Sequence, residues 1–239
     1  MLLLAPLMGL MPQATLAAVV IVYSIGLIQP AEIFAILMIR RMEFLWALAA
    51  FAGVVLLGTL KGILVAIIVS LVSLAYQAAH PRLYVLGRKP GTEVFRPRTD
   101  AHPEDETFPG LLMVRPEGRL FFANAQRIGE QVWPLIDAAE PRVLAMDFSA
   151  VTDIEYSALK MLVEGEERLR ARGAELWLVA LNPEVLAMVQ RSSLGKTLGR
   201  ERLLFNLPLA VERFRARATA FEDRDSTARE SRTTTSTST

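Results

Sequence analysis

No charged side chain occurs before Glu32, and the stretch to about Ala79 is built mainly from Leu, Ile, Val, Ala and Gly. That restricts the folds open to it, because an apolar helix of about 20 residues, at about 1.5 Å rise each, matches a hydrocarbon layer about 30 Å thick. Three runs come near this length: Gln13–Gln29, Phe44–Leu60 and Gly62–Ala79. Pro30 closes the first, since proline cannot continue a helical hydrogen-bond ladder in the ordinary way. Lys61 alone separates the other two, so residues 44–79 are predicted to form a helical hairpin with a tight turn there. Both arms are slightly short for an average bilayer, and Ala47, Ala49, Ala50, Ala52 and Gly53 are small enough to let neighbouring helices approach closely. A soluble core pair would show polar faces and a secretory signal a basic leading segment, and these runs have neither.

Basic residues orient the hairpin. Arg40 and Arg41 precede it and His80, Arg82, Arg88 and Lys89 follow it, against Lys61 at the turn. By the positive-inside rule both ends face the cytoplasm, so the expectation is an integral protein of an inner or plasma membrane with its remaining residues cytoplasmic.

The whole chain has 239 residues and a formal charge of +1, and its acids and bases crowd into the second part. This balance gives no basic face for nucleic acid. With no cysteine and only His80 and His102, set apart, there is no thiolate chemistry and no expected zinc or haem site. Residues 81–109 hold five prolines and two glycines and read as an extended connector between residues 1–80 and a domain at 110–217. Within that domain, Leu111–Arg115 and Leu120–Ala123 are predicted to form a hairpin about Pro116-Glu117-Gly118. Helix over 124–139, strand over 143–148, helix over 156–172, strand over 175–181, a short helix from Pro183, a brief strand near 203–205 and a helix over 208–217 follow. Glu164 with Arg168 and Glu166 with Arg170 are expected as exposed i,i+4 pairs. Strands joined through helices imply a mostly parallel sheet with helices packed on it. Residues 218–239, rich in Arg, Asp, Ser and Thr, are expected to be disordered.

The run from Val143 to Leu162 (VLAMDFSAVTDIEYSALKML) resembles the signature of STAS domains: a buried strand ending in an acid, a loop with a second acid, then a small hydroxyl residue opening a helix. Val85–Arg96, the Pro-Gly-Leu-Leu from Pro109, Leu120–Ala125 and the hairpin are similar, in order and spacing, to the last part of SulP-type sulfate permeases. The fold class implied is an α-helical membrane segment followed by a small α/β STAS domain. The activity implied is secondary transport of an inorganic anion such as sulfate or bicarbonate, with the STAS domain serving regulation or assembly and a homodimer or further transporter helices as partners. The family's anion site lies between half-helices of earlier segments, so transport by this piece alone is not expected. Leu2, Leu3 and Leu4 read as the continuation of an earlier helix, which favours truncation.

Ser157 corresponds in position to the serine phosphorylated in the STAS superfamily's anti-sigma-factor antagonists, two residues after Glu155; Tyr156 and Ala158 depart from that pattern. A phosphate there would sit near a helix N-terminus, opposed by Asp153 and Glu155, and serine also serves simply as a helix-start residue. Asp147, Asp153 and Glu155 suggest structural acids near a helix start rather than a metal cluster. Gly195-Lys196-Thr197 lacks the glycine that a phosphate loop needs at position 190, where Gln190 stands. Trp133 and Trp177 read as core residues. No nucleophile–base pair or cofactor loop is present, so neither an enzyme nor a cofactor is expected. The alternative to transport is a membrane-tethered signalling module that binds a kinase or switch partner through Ser157.

Overall fold

The computed structural model describes residues 13–39 and 41–217, in two compact units that divide at Ala75/Tyr76. The predicted disordered tail, Arg40 and the leucines at the start lie outside the described residues.

The first unit is helical. Helix α1 spans Gln13–Leu27, α2 Pro30–Ile39, α3 Arg41–Leu57 and α4 Thr59–Ala79. Two stretches, Ala14–Ile39 and Thr59–Ala79, are long and apolar enough to cross a membrane. The turn between α3 and α4 falls at Gly58 and not at Lys61 as the charge suggested. Gly58 has φ of +81°, a left-handed conformation that glycine adopts without steric cost, and Lys61 lies inside the first turn of α4. The arms meet through glycine: Gly53 and Gly62 are buried, and a Cβ at Gly62 would stand 2.3 Å from Val54 Cα.

The second unit is three-layered. Its strands are β1 Leu83–Arg88, β2 Phe95–Pro97, β3 Leu111–Pro116, β4 Gly118–Leu120, β5 Val143–Asp147, β6 Val151–Ile154, β7 Glu175–Val179 and β8 Leu203–Leu204. Its helices are α5 Phe122–Ala139, α6 Tyr156–Ala171, α7 Pro183–Arg191, α8 Ser193–Leu198 and α9, residues 207–217. The main sheet runs β2-β1-β3-β5-β7-β8, parallel from β3 to β8 with β1 and β2 antiparallel at one side. Side chains alternate faces along β5. Leu144 and Met146 join the core beneath α5 to α8, while Val143 and Ala145 join the core that α9 closes with Leu207, Ala210, Val211 and Phe214.

Three local readings are corrected. Residues 81–109 are not a bare connector, because the Leu83–Arg88 segment adds β1 to the sheet and Pro97 ends the edge strand β2, a place where a missing N–H is tolerated. The intervening loop is tied by Arg88 to Glu106 and by Arg96 to the buried carboxylate of Asp105 at 2.8 Å. Nor do the segments flanking Pro116-Glu117-Gly118 form a hairpin: β1 and β5 occupy both edges of β3, so the chain turns at Gly118, φ +90°, and β4 pairs in parallel with β6. Finally, Glu166 is buried and meets Arg202 at 3.4 Å rather than pairing with Arg170, and Arg168 lies 4.0 Å over the Trp133 ring.

Glu175 gathers the far end of the domain, accepting from Trp177 Nε1 and Arg217 at 2.9 Å each. Burial alone would raise its pKa, but those donors and the Arg202 and Arg217 charges outweigh it and hold the carboxyl below its ordinary range.

Gly62→Leu is expected to separate α3 from α4 and lower the thermal stability of the detergent-solubilised chain. Gly26→Leu, whose Cβ would meet nothing within 4 Å, should leave it unchanged; equal effects in a thermal-shift assay would contradict the close helix approach.

Candidate functional site

The acids and hydroxyl singled out by sequence lie along one path, from the end of β5 through β6 to the start of α6. β5 ends in Asp147, only 1% exposed, whose Oδ2 accepts from Arg115 of β3 at 2.7 Å and whose Oδ1 accepts from the Ser149 N–H at 2.9 Å. A buried carboxylate needs such partners, because transfer out of water without them is costly. Asp147 therefore locks β3 to β5 and shapes the turn into β6.

Asp153 and Glu155 sit elsewhere, at the surface. Arg119 of β4 reaches both, with Nε 2.9 Å from Asp153 Oδ2 and its terminal NH2 2.9 Å from Glu155 Oε1. The β4–β6 pairing, Leu120 beside Ile154, brings this guanidinium to the two acids. Glu155 is the N-cap residue of α6 by position, with no side-chain cap bond, and Ser157 is the second residue of the helix, half-buried beside the exposed Tyr156. Sequence reasoning set the acids against a phosphate at Ser157; the cation that holds them was missed, its one local mark being a basic residue between a turn and a short apolar run.

Two asparagines fix the surrounding loops. Asn182 caps α7 by accepting from Val185 N–H at 2.9 Å and donates to the Val151 carbonyl at 3.0 Å. Asn124, buried in the first turn of α5, accepts from Phe121 N–H at 3.0 Å and donates to the carbonyls of Arg119 at 2.7 Å and Ala78 at 3.2 Å. Arg127 on the same helix contacts His80, whose Nδ1 lies 2.7 Å from the Tyr76 carbonyl. The beginning of α5 is thereby fastened to residues 76–80, the last turn of α4 and the residue after it. Gly195-Lys196-Thr197 lies within the short helix α8, where Gly195 is required by packing: a Cβ there would stand 2.4 Å from the Val189 carbonyl oxygen. Trp177 is fully buried and Trp133 half-buried.

This arrangement of strand, acidic turn and helix start coincides with a family match over residues 102–206, described as the STAS domain. Residues 102–206 form a STAS domain. The likeness continues through the preceding helices. Sulfate transporter 3.1 of Arabidopsis thaliana is 30% identical over 223 residues, 89% of this chain and 34% of that protein. High affinity sulfate transporter 2 of Stylosanthes hamata is 28% identical over 92% of this chain and 35% of its own length. The murine Solute Carrier 26 family member A9 anion transporter, in its inward-facing state, shares the fold over 80% of this chain with a TM-score of 0.68 at 16% identity. The chain is thus similar to sulfate transporters through its helices and its STAS domain together, and spans about a third of the length of the curated relatives it matches.

The two ion pairs of the STAS domain differ in what they stabilise. Arg115→Met strands Asp147 in the interior and is expected to cost about 3 kcal/mol or more. Arg119→Met removes an exposed contact and should cost under about 1 kcal/mol. Denaturant unfolding of the domain, followed by Trp177 fluorescence, distinguishes them, and comparable losses would refute the division into an interior lock and a surface clamp.

Proposed function

We propose that this chain is the C-terminal portion of a secondary active transporter of inorganic anions, sulfate foremost, whose STAS domain serves regulation or assembly. The reading rests on one observation above the rest: the match to sulfate transporters runs continuously through the apolar helices and the STAS domain, over 84–92% of the chain in the relatives compared. In it α4 crosses the membrane and delivers residues 80–217 to the cytoplasm, as the basic residues around the hairpin require. The division proposed is membrane helices within residues 13–80 and a STAS domain that takes in the sheet-forming part of 81–109 as well as 110–217.

The three apolar runs carry no charge, and an intramembrane anion site needs helix N-termini or a cation facing a cavity. The permeation pathway is therefore completed by further helices, either of the same polypeptide or of another protomer in a homodimer. Asn124 and Arg127 hold residues 76–80 to the start of α5 within the second unit, so this stretch of chain is the place where assembly or regulation can act.

A second reading, a tethered signalling module with Ser157 as phospho-acceptor, draws support from the half-exposed position of Ser157 at the start of α6. The Arg119 clamp on Asp153 and Glu155 also lessens their opposition to a phosphate there.

Uptake of labelled sulfate and bicarbonate into proteoliposomes separates the readings. The chain alone is expected to be inactive and a form extended upstream active. Uptake by neither would favour the signalling module, and uptake by the chain alone would overturn the placement of the pathway.

A further inference from the structure

Two glycines stand in the middle of the helices covering one face of the sheet, Gly129 in α5 and Gly165 in α6. Glycine weakens a helix interior relative to alanine, so its presence there needs a reason. Close packing is the reason at Gly62 and Gly195, where a Cβ would meet backbone at 2.3 and 2.4 Å. It is not the reason here. A Cβ on Gly165 would meet nothing within 4 Å, and one on Gly129 would meet only Met161 Cε at 3.8 Å and the Trp133 ring at 4.0 Å.

What the glycines border is a groove between α5 and α6 with a volume of about 290 Å³. Leu144, Met146 and Leu176 of the sheet lie beneath it, almost wholly buried, and the part open to an occupant is bounded by Gly129, Trp133, Met161, Leu162 and Gly165. Water suits such a space poorly, because a buried water needs two to four polar partners and this lining is overwhelmingly apolar. Leaving it empty would deprive the surrounding side chains of dispersion contacts. An apolar occupant meets both conditions. The volume is that of roughly ten waters at about 30 Å³ each, which suits a chain of roughly eight carbons.

The charged lining residues, Glu164 and Arg168, are both exposed at the mouth. Glu164 lies 3.8 Å from Lys160. Arg168 is stacked on Trp133 at 4.0 Å, and among the described residues no carboxylate lies within ion-pair distance of it. Arg172, which also faces Trp133 at 5.2 Å, pairs with Asp137. An apolar slot with an available guanidinium at its rim is complementary to a chain bearing an anionic head.

We propose that the α5–α6 groove binds a single-chain anionic amphiphile of the medium-chain fatty carboxylate class, its chain between Gly129, Trp133, Met161 and Gly165 and its carboxylate on Arg168. This goes beyond the transport reading and does not rest on it.

The test uses the full chain in lipid nanodiscs, with Trp46→Phe so that Trp133 and Trp177 report, and octanoate brominated at its far end as the quenching probe. Saturable quenching is expected, since Trp133 borders the groove while Trp177 lies in the opposite core. Gly165→Leu, and independently Gly129→Leu from the other wall, fill the groove and should weaken binding by roughly tenfold or more. Neither should lower the melting temperature, because leucine is the better helix former. Arg168→Gln should weaken the carboxylate while leaving brominated octanol unaffected. Quenching that does not saturate, or that both leucine variants leave unchanged, would overturn the site. Equal loss of the alcohol and the carboxylate in Arg168→Gln would overturn the assignment of the head group.

Discussion

Strand β5 is buried along its whole length, and much of the α/β domain follows from that constraint. A strand with no exposed face must have neighbours on both edges and cover on both sides, which is the situation of parallel sheets. β3 and β7 supply the edges, α5 to α8 one cover and α9 the other. The apolar part of the strand satisfies this with Val143, Leu144, Ala145 and Met146. Its last residue, Asp147, does not, and the fold accommodates it with Arg115 from the neighbouring strand and the backbone of Ser149. The turn after β5, the course of β6 and the start of α6 are therefore set by how one carboxylate is held in the interior.

The surface acids follow a different logic. Asp153 and Glu155 face solvent, where an ion pair contributes little to stability, and Arg119 holds them in a defined arrangement beside Ser157. On the neighbouring helix start, Asn124 is buried and its hydrogen bonds reach both the strand carrying Arg119 and the end of α4. The two helix starts are side by side because β4 and β6 pair in parallel, so the Ser157 region and the attachment to residues 76–80 share one small sheet. Sequence separation hides this closeness, which brings a candidate regulatory residue within a few side chains of the segment joining helices to domain.

Much of the order of elements was legible in the sequence because it rests on local signals. Apolar run length marks α1, α3 and α4 though not the separate α2; Ile128, Val132 and Ile136 recur at helical spacing in α5, and Asn182 before Pro183 suits the capped start of α7. What escaped depends on contacts across the chain. The prolines of 81–109 mask the short apolar run of β1, since a strand so short is recognised by its partner rather than by its own composition. The hairpin about Pro116-Glu117-Gly118 failed because both edges of β3 were already taken. Glu166 read as a surface charge, and only Arg202, far along the chain, explains its burial. At the candidate site, Asp147, Asp153, Glu155 and Ser157 were visible as residues, but the division between an interior lock and a surface clamp belongs to Arg115 and Arg119, which no local motif marks.

In the proposed reading, membrane-crossing helices are joined to a STAS domain on the cytoplasmic side. The protein has no cysteine, so single cysteines report position without background. Lys61→Cys, at the start of α4, and Glu93→Cys, in the loop between β1 and β2, can be treated in intact cells with a membrane-impermeant maleimide. The account predicts labelling of position 61 from outside and of position 93 only after the membrane is opened. Labelling of both from the same side would contradict it.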